Sequence, residues 1–261
     1  MKIALFSDIH ANLPALEAVL ADIDRRNPDA VYCQGDLVGY ATYPNQVVDL
    51  IRQRKIPTIA GNYDEGIGLA SDNCGCAYKT DHEKANGVVS IAYTNQVIGA
   101  EQREFLRNLP RHLALDFEFR QADGAGKFRL LLVHGSPRRI NEYLFEDREE
   151  KSLARIMEET YTDMMTFGHT HKLYHRILAY QKNGQSFYRH AINIGSVGKP
   201  KDGDPRACYA MLTITPETSV QIPDSLGVEF IRVTYDIEAA AQPIEESPLA
   251  NEYAHMLRTA Y

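Results

Sequence analysis

The stretch Leu5-Phe6-Ser7-Asp8-Ile9-His10 decides how this chain is read. Lys2 to Phe6 is an apolar run of the length of a short buried strand. It ends at Ser7, and an acid and an imidazole follow two residues apart. Where a strand gives way to a loop, both side chains can aim at one point above the strand end, the place where open α/β sheets carry their ligands. Asp-x-His alone is a weak signal, which a surface Asp and a helix-entry His would also explain.

Working outward, Leu13 to Arg26 reads as an amphipathic helix with Pro14 in its first turn and Leu16, Val19, Leu20 and Ile23 as the apolar stripe. Ala30–Cys33 is a second strand, ending in Gly35-Asp36. A helix is predicted over about Asn45 to Arg54. Pro57–Ala60 is a third strand, ending in Gly61-Asn62-Tyr63-Asp64. Strand, helix, strand, helix, strand signals parallel pairing with right-handed crossovers, which brings the strand ends to one edge.

Residues 67 to 109 read as mainly helical, with Asp72–Cys76 as a loop. Arg111–Arg120 and Phe128–Val133 read as strands about a turn at Asp123–Gly126. An acidic, partly helical stretch covers Glu146 to Glu159. Met164–Phe167 is a short buried strand. Leu173–Tyr180 and Ser186–Ile194 form a hairpin about Asn183-Gly184. Ala207–Thr215 and Val228–Tyr235 are further strands, and a polar terminal helix runs from Ile237. No linker or repeat is evident, so one domain over 1–261 is expected.

Composition narrows the function. The chain has 261 residues, 44% hydrophobic and 24% charged, with a net charge of −7. General nucleic-acid binding is disfavoured by that charge. A small phosphorylated substrate is not, because a bound metal reverses the local field. No apolar run approaches the ~20 residues of a membrane span, and Met1-Lys2 leads straight into the first strand. Cys33, Cys74, Cys76 and Cys208 are too few and irregular for a disulfide framework. A cytoplasmic protein with reduced thiols is the expectation.

The chemistry-bearing residues are Asp8, His10, Asp36, Asn62, His134, His169 and His171, each at the end of an apolar run. Singly, each has an ordinary explanation as a buried histidine, a turn former or a helix cap. Their joint placement does not. Two carboxylates, an amide and four imidazoles suit Mn, Fe, Zn or similar divalent ions. Seven donors exceed the need of one ion and fit two that share a carboxylate, which can hold a phosphoryl group and activate a water.

These motifs resemble the calcineurin-like metallophosphoesterases. The family pattern Asp-x-His, Gly-Asp, Gly-Asn-His-Asp/Glu, His-Gly and Gly-His-x-His reads here Asp8-Ile9-His10, Gly35-Asp36, Gly61-Asn62-Tyr63-Asp64, His134-Gly135 and Gly168-His169-Thr170-His171. Asn193-Ile194-Gly195-Ser196 resembles a turn of the small bacterial phosphodiesterase-like branch, with Ile for Pro. The resemblance covers about the first 200 residues. It implies an α/β fold, a four-layer αββα sandwich of two mixed β-sheets flanked by helices. It also implies one metal on Asp8, His10, Asp36 and His171 and another on Asp36, Asn62, His134 and His169, with a metal-bridging hydroxide as nucleophile. Asp36, Asn62, Tyr63, Asp64 and His134 are the expected catalytic set.

Two departures from the family bear on the substrate. The arginines that protein phosphatases carry after Gly-Asp and before Gly-Asn-His are missing: Leu37-Val38-Gly39-Tyr40 follows Asp36, and Ala60 precedes Gly61. Tyr63 replaces the histidine that is the family's usual acid for the leaving group. The expectation is a phosphodiesterase, with a phosphomonoesterase or nucleotide pyrophosphatase as the near alternative and a non-catalytic protein-binding scaffold as the distant one. Tyr40, Tyr43 and Tyr143 are candidate pocket walls, and Lys199 or Arg206 candidate phosphate contacts in an otherwise solvated loop. Cys74 and Cys76 with His82 are a weak candidate for an extra metal. His112, His175 and His190 read as ordinary surface or core residues.

Overall fold

The computed structural model describes residues 1–121 and 124–261. Two sheets form the centre. In the first, β1 (Lys2–Phe6) pairs in parallel with β2 (Ala30–Cys33), and its other edge pairs antiparallel with β8 (Ala207–Thr213), which pairs with β9 (Gly227–Val233). In the second, the order is β3 (His112–Gln121), β4 (Gly124–Val133), β5 (Met164–Phe167), β7 (Gln185–Asn193) and β6 (Tyr174–Lys182). The pairs β4–β5 and β5–β7 are parallel, while β3–β4 and β6–β7 are antiparallel.

Side-chain alternation at period two explains the stacking. On β1, Ile3 and Leu5 face the second sheet, where they meet Leu130, Leu132, Met164 and Ile192. Ala4 and Phe6 face the other way, onto helices α1 (Leu13–Arg26) and α2 (Pro44–Gln53). On β4, Leu131 and Val133 turn outward to α6 (Glu150–Glu159), packing with Leu153, Ile156 and Met157. The result is the four-layer arrangement of helices, sheet, sheet and helix. Each core is closed by fully buried aliphatic side chains, for which truncation to Ala costs about 2–5 kcal/mol.

Several sequence expectations need correction. Pro57–Ala60 is not a ladder strand: only Thr58 bridges Cys33. Pro57 has no N–H to offer, and Ala60 turns away to donate to the Pro110 carbonyl. Gly124–Gly126 belong to β4 rather than a turn, and Asp123 lies outside the described residues. The C-terminal segment is two helices, α7 (Ile237–Glu245) and α8 (Asn251–Thr259). They are amphipathic rather than polar, and Ala240, Ile244, Tyr253 and Leu257 extend the core over the first sheet. Between α2 and β3 lie α3 (Asn62–Gly68), α4 (Asp81–Val97) and α5 (Ala100–Arg107). No helix among the described residues is long and apolar enough to cross a membrane.

Candidate metal centre

The C-terminal ends of β1, β2, β4 and β5 meet at one edge where the two sheets come together. The loops that follow them are tied by backbone bonds: Asp8 N donates to Gly35 O (2.9 Å), His10 N to Asp36 O (2.9 Å) and Gly168 N to His134 O (2.9 Å). Asp8, His10, Asp36, His169 and His171 all have positive φ, between 48° and 64°. That region is sparsely populated by residues with a Cβ, and such strain gathers at functional sites. Gly61 shows why the turns are tight: a Cβ there would stand 2.1 Å from Asp36 Oδ1.

Six of the seven polar side chains, all but His169, are held at an outer atom and present an inner atom to the centre. Asp8 Oδ2 accepts from His169 N (3.0 Å), and Asp36 Oδ1 accepts from Tyr63 N (2.9 Å). His10 Nδ1 is 3.1 Å from Val38 O, His134 Nδ1 2.9 Å from Gln34 O, and His171 Nδ1 2.5 Å from Lys199 O. A carbonyl can only accept, so these contacts place a proton on each Nδ1 and leave Nε2 for the centre. Asn62 Nδ2 donates to Cys74 O (2.7 Å), which turns Asn62 Oδ1 to within 3.2 Å of His134 Nε2. Second contacts of this kind orient metal ligands.

Inside the centre, Asp36 Oδ2 lies 3.6 Å from His10 Nε2 and 3.3 Å from His134 Nε2, between two groups. Asp8 Oδ1 lies 3.3 Å from His171 Nε2. Two clusters result, Asp8 with His10 and His171, and Asp36 with His134 and His169, each with donor atoms within 4.8 Å of one another. All seven residues are buried. Asp8 Oδ1 and His169 Nε2 have no hydrogen-bond partner among the described residues.

Protonation follows from this burial. Burial pulls His10 and His169 each down to about 3, against the opposing pull of Asp36 and Asp8. Burial also acts on His134, but Asp36 and Asp8 outweigh it and hold it up to about 10, so its Nε2 carries a proton toward Asp36 that a cation must displace. For Asp8, burial is outweighed by His171 and His134, which keep its carboxyl far below the usual range; His134 does the same for Asp36. Unpartnered buried donors, converging Nε2 atoms and two ionised carboxylates fit divalent cations.

The remaining predicted residues are placed as follows. Asp64 is buried, and both its oxygens accept backbone N–H groups, from Leu37 (2.8 Å) and Gly61 (3.0 Å). Burial and the Asp36 charge push it up to about 7. The Tyr63 ring is wholly buried, edge-on to His10 (5.6 Å) and beside Tyr40 (4.7 Å), and its hydroxyl makes no normal hydrogen bond. Tyr40 also packs on His10 (4.8 Å), and Tyr143 on His169 (4.0 Å), whereas Tyr43 stands at the start of α2. His82 pairs with Glu252 (2.8 Å). Cys76 Sγ instead lies 3.4 Å from Asn62 Nδ2. Lys199 is buried, its ammonium 4.7 Å from the Tyr40 ring centre, so its part of the loop is not solvated. Arg206 is engaged by Asp204 (2.6 Å). Sequence reasoning missed Lys201, whose charge acts on Asp8, Asp36 and His171. No motif marks it.

Residues 1–217 match the model of the calcineurin-like phosphoesterase superfamily domain. The chain belongs to that superfamily. Members of this family are divalent-metal-dependent phosphoesterases, and the two donor clusters of the chain are its candidate metal sites. The uncharacterized protein MJ0912 of Methanocaldococcus jannaschii is 32% identical over 259 residues, covering 95% of this chain and 93% of that one. The crystal structure of a metallophosphoesterase from Sphaerobacter thermophilus superposes with a TM-score of 0.73 at 29% identity, covering 100% of both chains. The hypothetical protein PH1004 of Pyrococcus horikoshii OT3 shares the fold, with a TM-score of 0.74 at 23% identity over 100% of this chain and 98% of that one. A four-layer calcineurin-like phosphoesterase fold is therefore established on sequence and on structure.

Proposed function

We propose that this phosphoesterase is a two-metal hydrolase of small phosphoric esters that works in the cytoplasm and prefers diesters to monoesters. The observation that carries the reading is Asp36 Oδ2 standing between the His10 and His134 rings, with unpartnered donors on either side. One ion would be held by Asp8, His10, Asp36 and His171, and the other by Asp36, Asn62, His134 and His169. When bound, the pair supplies Lewis-acid stabilisation of phosphoryl oxygens and a nucleophilic water.

The chain's own contribution is orientation. Val38, Gln34 and Lys199 carbonyls fix three imidazoles in one tautomer, and the Cys74 carbonyl fixes the Asn62 amide. Asp64 clamps the Leu37 and Gly61 amides, so the loops bearing Asp36 and Asn62 keep one spacing. Tyr63, whose ring packs edge-on against His10 (5.6 Å), is the residue we assign to the leaving-group side; its hydroxyl is buried and must be uncovered to reach that oxygen.

Diester preference rests on the missing guanidinium forks after Asp36 and before Gly61, where a dianionic monoester would be gripped. A diester carries one negative charge and needs less compensation. The complete donor set speaks against a protein-binding scaffold, for which these buried, strained positions have no use. The Mn-loaded protein should cleave bis-nitrophenyl phosphate faster than nitrophenyl phosphate. The reverse order by about tenfold or more, some 1.4 kcal/mol in transition-state binding, would establish the monoesterase reading instead.

A further inference from the structure

A cavity of about 460 Å³ opens beside Asn62, lined along its walls by Glu65, Arg111, Arg138, Arg139 and Asn141 among others. Its size is that of a small-molecule site. Three guanidinium groups against one carboxylate on its lining form a cationic pocket on a chain whose net charge is −7. Two of the three follow a strand that carries the metal centre, and Arg111, just before β3, reaches α3 through Glu65. Arg138 and Arg139 follow His134 by four and five residues, and Glu65 and Asn62 share the first turn of α3.

Two of the three arginines are held in ion pairs and the third is not. Arg111 pairs with Glu65 (2.5 Å) and Arg138 with Glu142; the guanidinium sides are 62% and 42% exposed, the carboxylate sides 27% and 16%. With the guanidinium side open to solvent, a phosphate can compete for it in bidentate fashion. The Arg139 guanidinium makes no hydrogen bond or ion pair among the described residues. Ser136 Oγ accepts from both the Arg138 and Arg139 amides (3.1 Å each), which fixes the loop bearing them. Asn141 Nδ2 donates to Gly75 O (2.8 Å), tying the same loop to the strap that carries Cys74 and, through it, Asn62.

We infer that this cavity is a second anion site, and that the substrate is a phosphoester bearing a further phosphate on the side of Asn62. The inference rests on the phosphoesterase reading for the position of the scissile group. Asn62 joins the two sites: its Oδ1 lies 3.2 Å from His134 Nε2 and it also borders the cavity. The arginines at positions 111, 138 and 139 supply to the distal phosphate the forks that are missing around the scissile one.

The test uses alkanediol bisphosphates of three to six carbons and the matching alkyl monophosphates, titrated by calorimetry into the Mn-loaded protein at fixed ionic strength. At one chain length at least, the bisphosphate should bind about tenfold or more tightly than the monophosphate. Arg139→Gln and the double variant Arg111→Gln/Arg138→Gln should each lose most of that preference. Arg155→Gln, which removes the same charge on α6, should keep it. Equal affinity at every length, or a preference that survives loss of all three arginines, would overturn the inference. Should the bisphosphates bind through the arginines while no phosphoester is cleaved, the hydrolase reading fails and the anion site stands. Should diesters be cleaved with no bisphosphate preference, the anion site alone fails.

Discussion

His10 Nε2 and His171 Nε2 stand 3.2 Å apart, with each Nδ1 turned outward to a backbone carbonyl. In that tautomer two lone pairs face each other inside a buried site. Without a cation between the donors the contact is repulsive, and Asp8 Oδ1 beside them is unpartnered.

Metal binding should therefore stabilise the protein as well as activate it. Two equivalents of Mn or Zn are expected by elemental analysis of protein purified without chelator. Chelation should abolish phosphoesterase activity and lower Tm, since a ligand at 100 times its Kd adds about 2.7 kcal/mol to stability. A single equivalent, or a Tm unchanged by chelation, would contradict the paired site.

Asp36 touches both halves of the centre, whereas Asn62 touches one. Asp36→Asn should cost more activity than Asn62→Ala, because it weakens both sites. Loss of a partner that merely orients a ligand costs about 10–100-fold. Asp36→Asn should exceed that range, and calorimetry should show both binding events weakened. Equal losses from the two substitutions would show that Asp36 does not bridge.

Tyr63 is the residue proposed to face the leaving group. Burial raises its hydroxyl well above the ordinary tyrosine range, so it is a poor acid near neutral pH. Rates should fall steeply as the leaving group becomes more basic, with nitrophenyl esters reacting well and alkyl esters poorly. Tyr63→His, assayed at fixed metal loading, should raise the rate on alkyl esters more than on nitrophenyl esters. A uniform change on both would remove Tyr63 from the proton-donor position.

Away from the centre, His190 is buried with its Nδ1 3.0 Å from His175 Nε2. Burial, then the neighbouring His175, brings His190 down to about 4, against the pull of Asp224. The folded state thus binds fewer protons than the unfolded chain between the ordinary histidine range and pH 4. Stability present at neutral pH is lost as pH falls through that window, by up to about 3 kcal/mol. His190→Gln should flatten the decline in Tm between pH 6.5 and 4.5 relative to the parent. An identical decline in both proteins would show that His190 takes no part.

The sequence by itself determined the architecture and grouped the seven candidate site residues. Period-two and period-3.6 apolar patterns are local, so β1, α1, β2, β5 and the β6–β7 hairpin are legible from neighbouring residues alone. Parallel pairing then sends the strand ends to one edge, which is why seven scattered polar residues could be grouped without coordinates. Tertiary structure decided what depends on contacts distant in the chain. It reduced Pro57–Ala60 to one bridge, buried the terminal helices, and oriented three of the four imidazoles through carbonyls 28 to 100 residues away. It also set Arg111, Arg138 and Arg139 around one cavity. Exposed arginines have no periodicity and no motif, so only the folding of two loops onto α3 brings their charges to one place.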